Sequence, residues 1–188
     1  MRSAAAFGLA LMLLSATASA EDALPELGPA PAFSLMSQNR KPVSLMGLRG
    51  KVVAVTFIYT ACPDICPLLT QKIVEVAQAL GGDFGSKVAF VVITFDPERD
   101  TSEILKNYAE AFGATGVGWN FLTGPPAVVR DLTSRYGVVA VENADGFIDH
   151  NLVTSIVDPR GMLRVQYIGM RFDPDAFRHD LLSLLGRP

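Results

Sequence analysis

Cysteine and histidine are scarce in this 188-residue chain, with two of each. A Cys₄ metal site therefore cannot be built, and a Cys₂His₂ site would need all four residues, His179 as well as His150. Charge of either sign is also thin. Charged residues make up 19%, the net charge is −3 and the isoelectric point is near 5.3. No basic stripe exists that could track a phosphate backbone, which argues against a nucleic-acid partner. Hydrophobic residues reach 49% with a mean hydropathy of +0.30, too apolar for a disordered chain and enough for a real core. The length suits one domain. There is no internal repeat.

Long apolar runs are missing as well. The most apolar stretch, Ala4 to Leu14, is about half of the roughly 20 residues a spanning helix needs. It follows the positive Met1-Arg2 end and precedes Ala18-Ser19-Ala20, the three-part pattern of a cleavable secretory signal over residues 1–20. No cysteine follows the small residues, so a lipoprotein anchor is not expected. An uncleaved anchor is the competing reading. Export from a bacterium would put the mature chain in the periplasm, where disulfides persist. Residues 21–32 carry Pro25, Pro29 and Pro31 and read as an extended linker, with the folded domain over 33–188.

Within that domain, Lys51 to Tyr59 and Val88 to Thr94 are near-continuous apolar, β-branched runs, as expected of strands covered on both faces. Leu69, Ile73, Val76 and Leu80 repeat at helical spacing and stop at Gly81-Gly82. Asp100 with Glu103 three residues on reads as a capping box, opening a helix with the stripe Ile104, Leu105, Tyr108 and Phe112. Val128, Val129, Leu132 and Tyr136 mark a third helix. Leu152 to Val157 and Leu163 to Tyr167 form a hairpin around Asp158-Pro-Arg-Gly161. Asp173-Pro174 starts a last helix carrying Phe177, Leu181, Leu184 and Leu185. The order predicts a mixed α/β layer sandwich.

The chemistry sits in Cys62-Pro-Asp-Ile-Cys66-Pro, just after a buried strand and at the start of a helix. Unpaired N–H groups and the helix dipole there favour a thiolate, which suits redox exchange and metal ligation alike. A purely structural disulfide would close so small a ring that it stabilises by only about 2 kcal/mol, against about 4.7 for a loop of 100 residues. A thioredoxin-type enzyme has two residues between its cysteines, and here there are three. It also keeps a cis-proline before the hairpin, whereas no proline occurs between Pro126 and Pro159. A thiol peroxidase would want its threonine three residues before the cysteine; Thr60 is two before. Both enzymatic readings lose ground.

The CPDICP word, the Thr94-Phe-Asp-Pro-Glu-Arg-Asp-Thr101 word and Asp149-His150 ahead of a strand together resemble the Sco (SenC) family, across nearly all of the chain from Pro31 onward. The resemblance implies a thioredoxin-like three-layer sandwich with a central mixed sheet flanked by helices. It also implies copper, Cu(I) or Cu(II), held by two cysteines and one histidine. By motif position these are Cys62, Cys66 and His150. Family members help deliver copper to the dinuclear copper site of cytochrome c oxidase, so its copper-bearing subunit is the implied partner, with other periplasmic copper carriers beside it. Two thiolates and an imidazole make a soft, incomplete shell that suits Cu(I) and a handed-over ion.

Alternatives stay open at several positions. The same cysteines would serve a thiol-disulfide oxidoreductase reducing target cysteines, without need of His150. A copper-responsive sensor is a third reading. Nothing calls for turnover, so a metallochaperone stands ahead of an enzyme. His150 lies in a polar, turn-rich stretch where a histidine could equally face water, and Asp149 could orient it or be solvated. His179 falls off the last helix's apolar stripe and is expected in solvent. Asp64 either tunes the thiols or faces water. Asp96 to Thr101 reads as a strand end, a proline turn and a helix cap. Phe57 and Tyr59 are expected to pack rather than wall the site. Many family members carry a membrane anchor where this leader looks cleavable, which favours a diffusing carrier with no stable membrane insertion.

Overall fold

A computed structural model describes residues 24–142, 148–170 and 172–186, with the backbone only of 140–142, 148 and 149. The proposed leader therefore lies outside the described residues. Among the described residues, no helix is long and apolar enough to cross a membrane.

Among the described residues, ten strands and four α-helices follow in the order β1 (Gly28–Pro29), β2 (Ser34–Ser37), β3 (Pro42–Ser44), β4 (Val52–Ile58), α1 (Ile65–Ala79), β5 (Val88–Thr94), α2 (Ser102–Ala111), β6 (Trp119–Thr123), α3 (Pro126–Arg135), β7 (Ala140–Glu142), β8 (Ile148–His150), β9 (Val153–Val157), β10 (Met162–Ile168) and α4 (Pro174–Ser183). Eight strands form one mixed sheet in the order β1-β10-β9-β4-β5-β6-β2-β3, and β7 and β8 pair separately. The centre is parallel: β4 pairs with β5 and β5 with β6, joined through α1 and α2. Antiparallel β9 closes the other flank of β4, with Val53 opposite Val157 and Thr56 opposite Thr154.

Every residue of β4 and of β5 is buried, as their unbroken apolar runs require. In-register partners share a face of the sheet. On one face, Phe90 meets Phe177 of α4 and Phe121 meets Tyr108 of α2, while Thr70 of α1 hydrogen-bonds the Tyr108 hydroxyl at 2.9 Å. On the opposite face Phe57 packs against Tyr136 at the end of α3. The result is the helix–sheet–helix layering expected.

Some expectations shift. The segment read as a linker is extended, but it docks: Gly28 and Pro29 pair with Leu163 and Met162, making β1 an edge strand. Arg164 fastens the same segment by donating to the carbonyls of Leu24 and Pro25. Strand β6 carries no clean strand signal because Asn120 interrupts it; its side-chain amide donates to the Phe90 carbonyl instead of reaching solvent. The hairpin of β2 and β3 was likewise invisible in the pattern. Ile104 and Val128, counted in helical stripes, are 41% and 46% exposed, so those stripes are one residue narrower. The turn at Asp158 does form, and Gly161 is needed there. It has a φ of +78°, and a Cβ would stand 2.7 Å from Arg49 Cζ.

Candidate metal centre

Strand β4 delivers the site by ending where it does. Past Ile58 the chain keeps Tyr59 buried, turns so that the Cys62 N–H donates to the Tyr59 carbonyl at 3.3 Å, and enters α1 at Ile65. The two cysteines thus sit outside the carboxyl end of a central parallel strand, where crevices of α/β sheets form. Asp64 is the N-cap, yet its side chain makes no capping bond and is exposed, so it faces water. Both thiols are free. Cys62 is 8% exposed and Cys66 fully buried in the first turn of α1.

Their environments differ in sign. Burial acts to raise the Cys62 thiol, but hydrogen bonds from the N–H groups of Asp64 and Cys66, from the Cys66 thiol and from the Ile65 N–H hold it below its ordinary value. Burial pushes the Cys66 thiol well above its ordinary value; a hydrogen bond with the Tyr59 backbone offsets this in part, and the charges of Cys62 and Asp100 add to the rise. The outer thiol is thus the more acidic of the two. Bound metal would reverse the preference of the inner one, because the ligand is the thiolate.

His150, 84 residues beyond Cys66, ends β8 with its Nε2 4.0 Å from the Cys66 sulfur. Its Nδ1 lies 3.1 Å from the Asn151 carbonyl oxygen. A carbonyl can only accept, so Nδ1 carries the proton and the Nε2 lone pair faces the sulfur. That is how a ligating histidine is usually held. Phe95 packs at 4.3 Å and Tyr59 edge-on at 6.1 Å, both ring to ring, and they wedge the imidazole. Tyr59 is therefore a wall of the site as well as a packing residue, while Phe57 is packing alone. Among the described residues no group of three histidine, cysteine or acidic side chains is placed to hold a metal ion as it stands. The donors are nevertheless chemically suited to a soft ion, being two sulfurs and an imidazole nitrogen, with the imidazole already 4.0 Å from one of the sulfurs.

Three further residues, which the sequence offered in other roles, join the site. Asp100, 1% exposed, accepts from the Thr60 N–H at 3.0 Å, from the Thr60 hydroxyl, and from the Thr94 hydroxyl at 2.6 Å. Thr94 also accepts from the Asp96 N–H at 2.9 Å, and Asp96 pairs with Arg99. The helix cap expected at Asp100 is made by Thr101, whose hydroxyl accepts from the Ile104 N–H. An acid at a helix start reads as a cap in any sequence. Only its burial against Thr60 shows otherwise. His179 is 80% exposed beside Asp180, as expected. The side chain of Asp149 lies outside what is described.

This constellation on this fold matches one family model, SCO1/SenC, over residues 23–186. The chain belongs to the SCO1/SenC family. It is 34% identical over 147 residues to SCO2-like protein RP587 of Rickettsia prowazekii, covering 75% of this chain and 68% of that one. It is 32% identical over 148 residues to the mitochondrial protein SCO1 homolog 1 of Arabidopsis thaliana, covering 77% of this chain but 43% of the plant protein. ScoI of Bradyrhizobium japonicum, solved with copper bound, superposes with a TM-score of 0.72 at 32% identity, covering 84% of this chain and 99% of that one. The Sco family is one of copper-binding proteins in cytochrome c oxidase assembly.

Proposed function

We propose that this chain is a copper carrier, with Cys62, Cys66 and His150 as the ligands, and that it hands copper to the dinuclear copper site of cytochrome c oxidase in the periplasm. The observation that carries this reading is the approach of His150 Nε2 to the Cys66 sulfur at 4.0 Å with Nδ1 turned to a carbonyl. A solvated histidine would have no reason to present its lone pair to a buried thiol. The kinship with a copper-bound Sco protein supports the choice of metal. Copper is the cargo here. The chain's part is to hold it in three soft donors and leave the remaining coordination position to a recipient, so that ligand exchange replaces release into water. Oxidation of Cys62 and Cys66 to a disulfide would remove two donors and stop loading.

The test is a copper titration of the fully reduced domain, with His150→Ala and Cys62→Ala/Cys66→Ala beside it. One copper per chain is expected, with sulfur-to-copper charge-transfer bands, much weakened without His150 and absent without the cysteines. Binding that survives in the double cysteine variant would sink the reading. The unequal thiols favour a second one, reduction of the recipient's cysteines. There Cys62, the more acidic thiol, attacks a disulfide of the recipient, and Cys66 resolves the mixed disulfide, leaving a Cys62–Cys66 disulfide and two recipient thiols. His150→Ala separates the two: it abolishes copper delivery and largely spares thiol exchange.

A further inference from the structure

We propose that Asp100 is a positioning residue for the cysteine loop, gripping Thr60 through main chain and side chain together and so setting where Cys62 stands relative to Cys66 and His150. This rests on the copper reading for one of its two tests. Thr60 leaves β4 two residues before Cys62, and its N–H and hydroxyl both go to the Asp100 carboxylate, 40 residues along the chain. The third hydrogen bond, from Thr94, fixes the carboxylate to the end of β5. Backbone bonds tie the same corner: Phe95 N–H to the Ile58 carbonyl at 3.0 Å, and Asp100 N–H to the Asp96 carbonyl at 2.9 Å.

Two features separate this from ordinary turn chemistry. The helix does not need Asp100, because Thr101 already caps it. The carboxylate is also buried with hydroxyls and one amide as its partners, and no cation pairs with it among the described residues. A charge held that way is costly to keep out of water. What it gains is a rigid hold on one end of the loop, since all three donors point at two oxygens of one planar group. The other end of that loop is fixed by α1 itself. Cys62 is therefore pinned between two rigid anchors, Asp100 ahead of it and the helix behind. Without the first, Cys62 keeps only its local bonds to Tyr59 and the start of α1, and its place relative to Cys66 and His150 loosens.

The experiment compares Thr60→Val, Thr60→Ser and Asp100→Asn. Asparagine matches aspartate in shape but carries no charge; its NH₂ can stand only where Oδ1 does, so the Thr60 hydroxyl must turn from donor to acceptor and the charge-assisted hydrogen bonds become neutral ones. Copper affinity, read by competition with a chromophoric chelator on the folded protein, is expected to fall about 10- to 100-fold in Asp100→Asn. Thr60→Val should weaken it about 2- to 10-fold, the worth of one hydrogen bond, and Thr60→Ser should stay within about twofold of wild type because its hydroxyl remains. The second readout needs no copper. Amide hydrogen exchange at Thr60 should quicken in Asp100→Asn by more than it does at Val55 in the middle of β4. A residue that only stabilised the fold would lower the melting temperature and leave both readouts alone. Asp100→Asn binding copper as wild type does, with Thr60 exchange tracking Val55, overturns the proposal. Should the wild type bind no copper, the carrier reading fails, and the exchange measurement alone decides for or against Asp100.

Discussion

Two aspartates sit buried at opposite ends of the sheet and are used in opposite ways. Asp158 lies in the turn between β9 and β10, next to the start of β4, and is 3% exposed. Its Oδ1 accepts the N–H groups of Arg160 and Met162, each at 2.9 Å, and its Oδ2 meets the guanidinium groups of Arg160 at 3.0 Å and Arg164 at 3.1 Å. Every lone pair is satisfied and the charge is neutralised. Asp100, at the far end of β4, is satisfied in hydrogen bonds but has no cation paired with it among the described residues. The first arrangement makes a closed knot that also ties down the edge strand β1 through Arg164. The second leaves a carboxylate close enough to a buried thiol to raise it, and grips the chain just ahead of the cysteines. Stability and reactivity are segregated along one strand of seven residues, roughly 20 Å long.

The comparison breaks most visibly at the knot. Asp158→Ala leaves two arginines and two N–H groups without their acceptor, and a loss of about 3 kcal/mol is expected, at the low end for buried pairs because Arg160 keeps contact with water. Urea denaturation reads this, and copper affinity of the folded variant should not move. At the other end the balance inverts. On the proposed ligand set, His150→Ala should weaken copper binding by at least about tenfold, as removal of a ligand must exceed loss of its orienting partner. Its half-buried ring makes the effect on the urea midpoint small.

Acidity sharpens the contrast further. Burial acts to raise the Asp158 carboxyl, but the Met162 N–H, the two arginines and the Arg160 N–H hold it below the usual carboxylate range. A depressed acid contributes stability that is full above its unfolded pKa of about 3.9 and is lost as pH falls through the folded value. The acid limb of the stability curve should therefore flatten in Asp158→Asn. Cys66 carries the opposite sign, raised by burial above its unfolded value. Its contribution is full below about pH 8.5 and lost as pH rises toward the folded value, so Cys66→Ala should blunt the alkaline fall of the reduced protein. The smallest expected effect lies one residue from Asp100. Thr101→Ala removes a helix cap, costing about 1 kcal/mol in denaturation and nothing in copper binding. A Thr101 variant that weakened copper as Asp100→Asn does would erase the distinction between capping and positioning.

The legible parts of the fold were those whose signal is local. Strands β4 and β5 are apolar at every position because both faces are covered, and the stripe of α1 at Leu69, Ile73 and Val76 is buried as its spacing demands. Strand β6 was missed because Asn120 is satisfied by a neighbouring strand's carbonyl, a partner that no window of sequence contains. The same limit applied at the site. Cys62 and Cys66 announce themselves by being the only cysteines, and by standing at a strand–helix junction. His150 was named by family resemblance, since 84 residues of intervening chain say nothing about approach.

The sequence by itself determined the layered α/β fold, the cysteine pair and where the pair stands in it, because periodicity and junction chemistry act over a few residues. Only the tertiary structure decided which aspartate caps, which knots and which grips the loop. It alone brought His150 to Cys66, and it alone set the two thiols apart. Those outcomes depend on burial and on partners tens of residues away, and a buried charge acquires its role from what surrounds it.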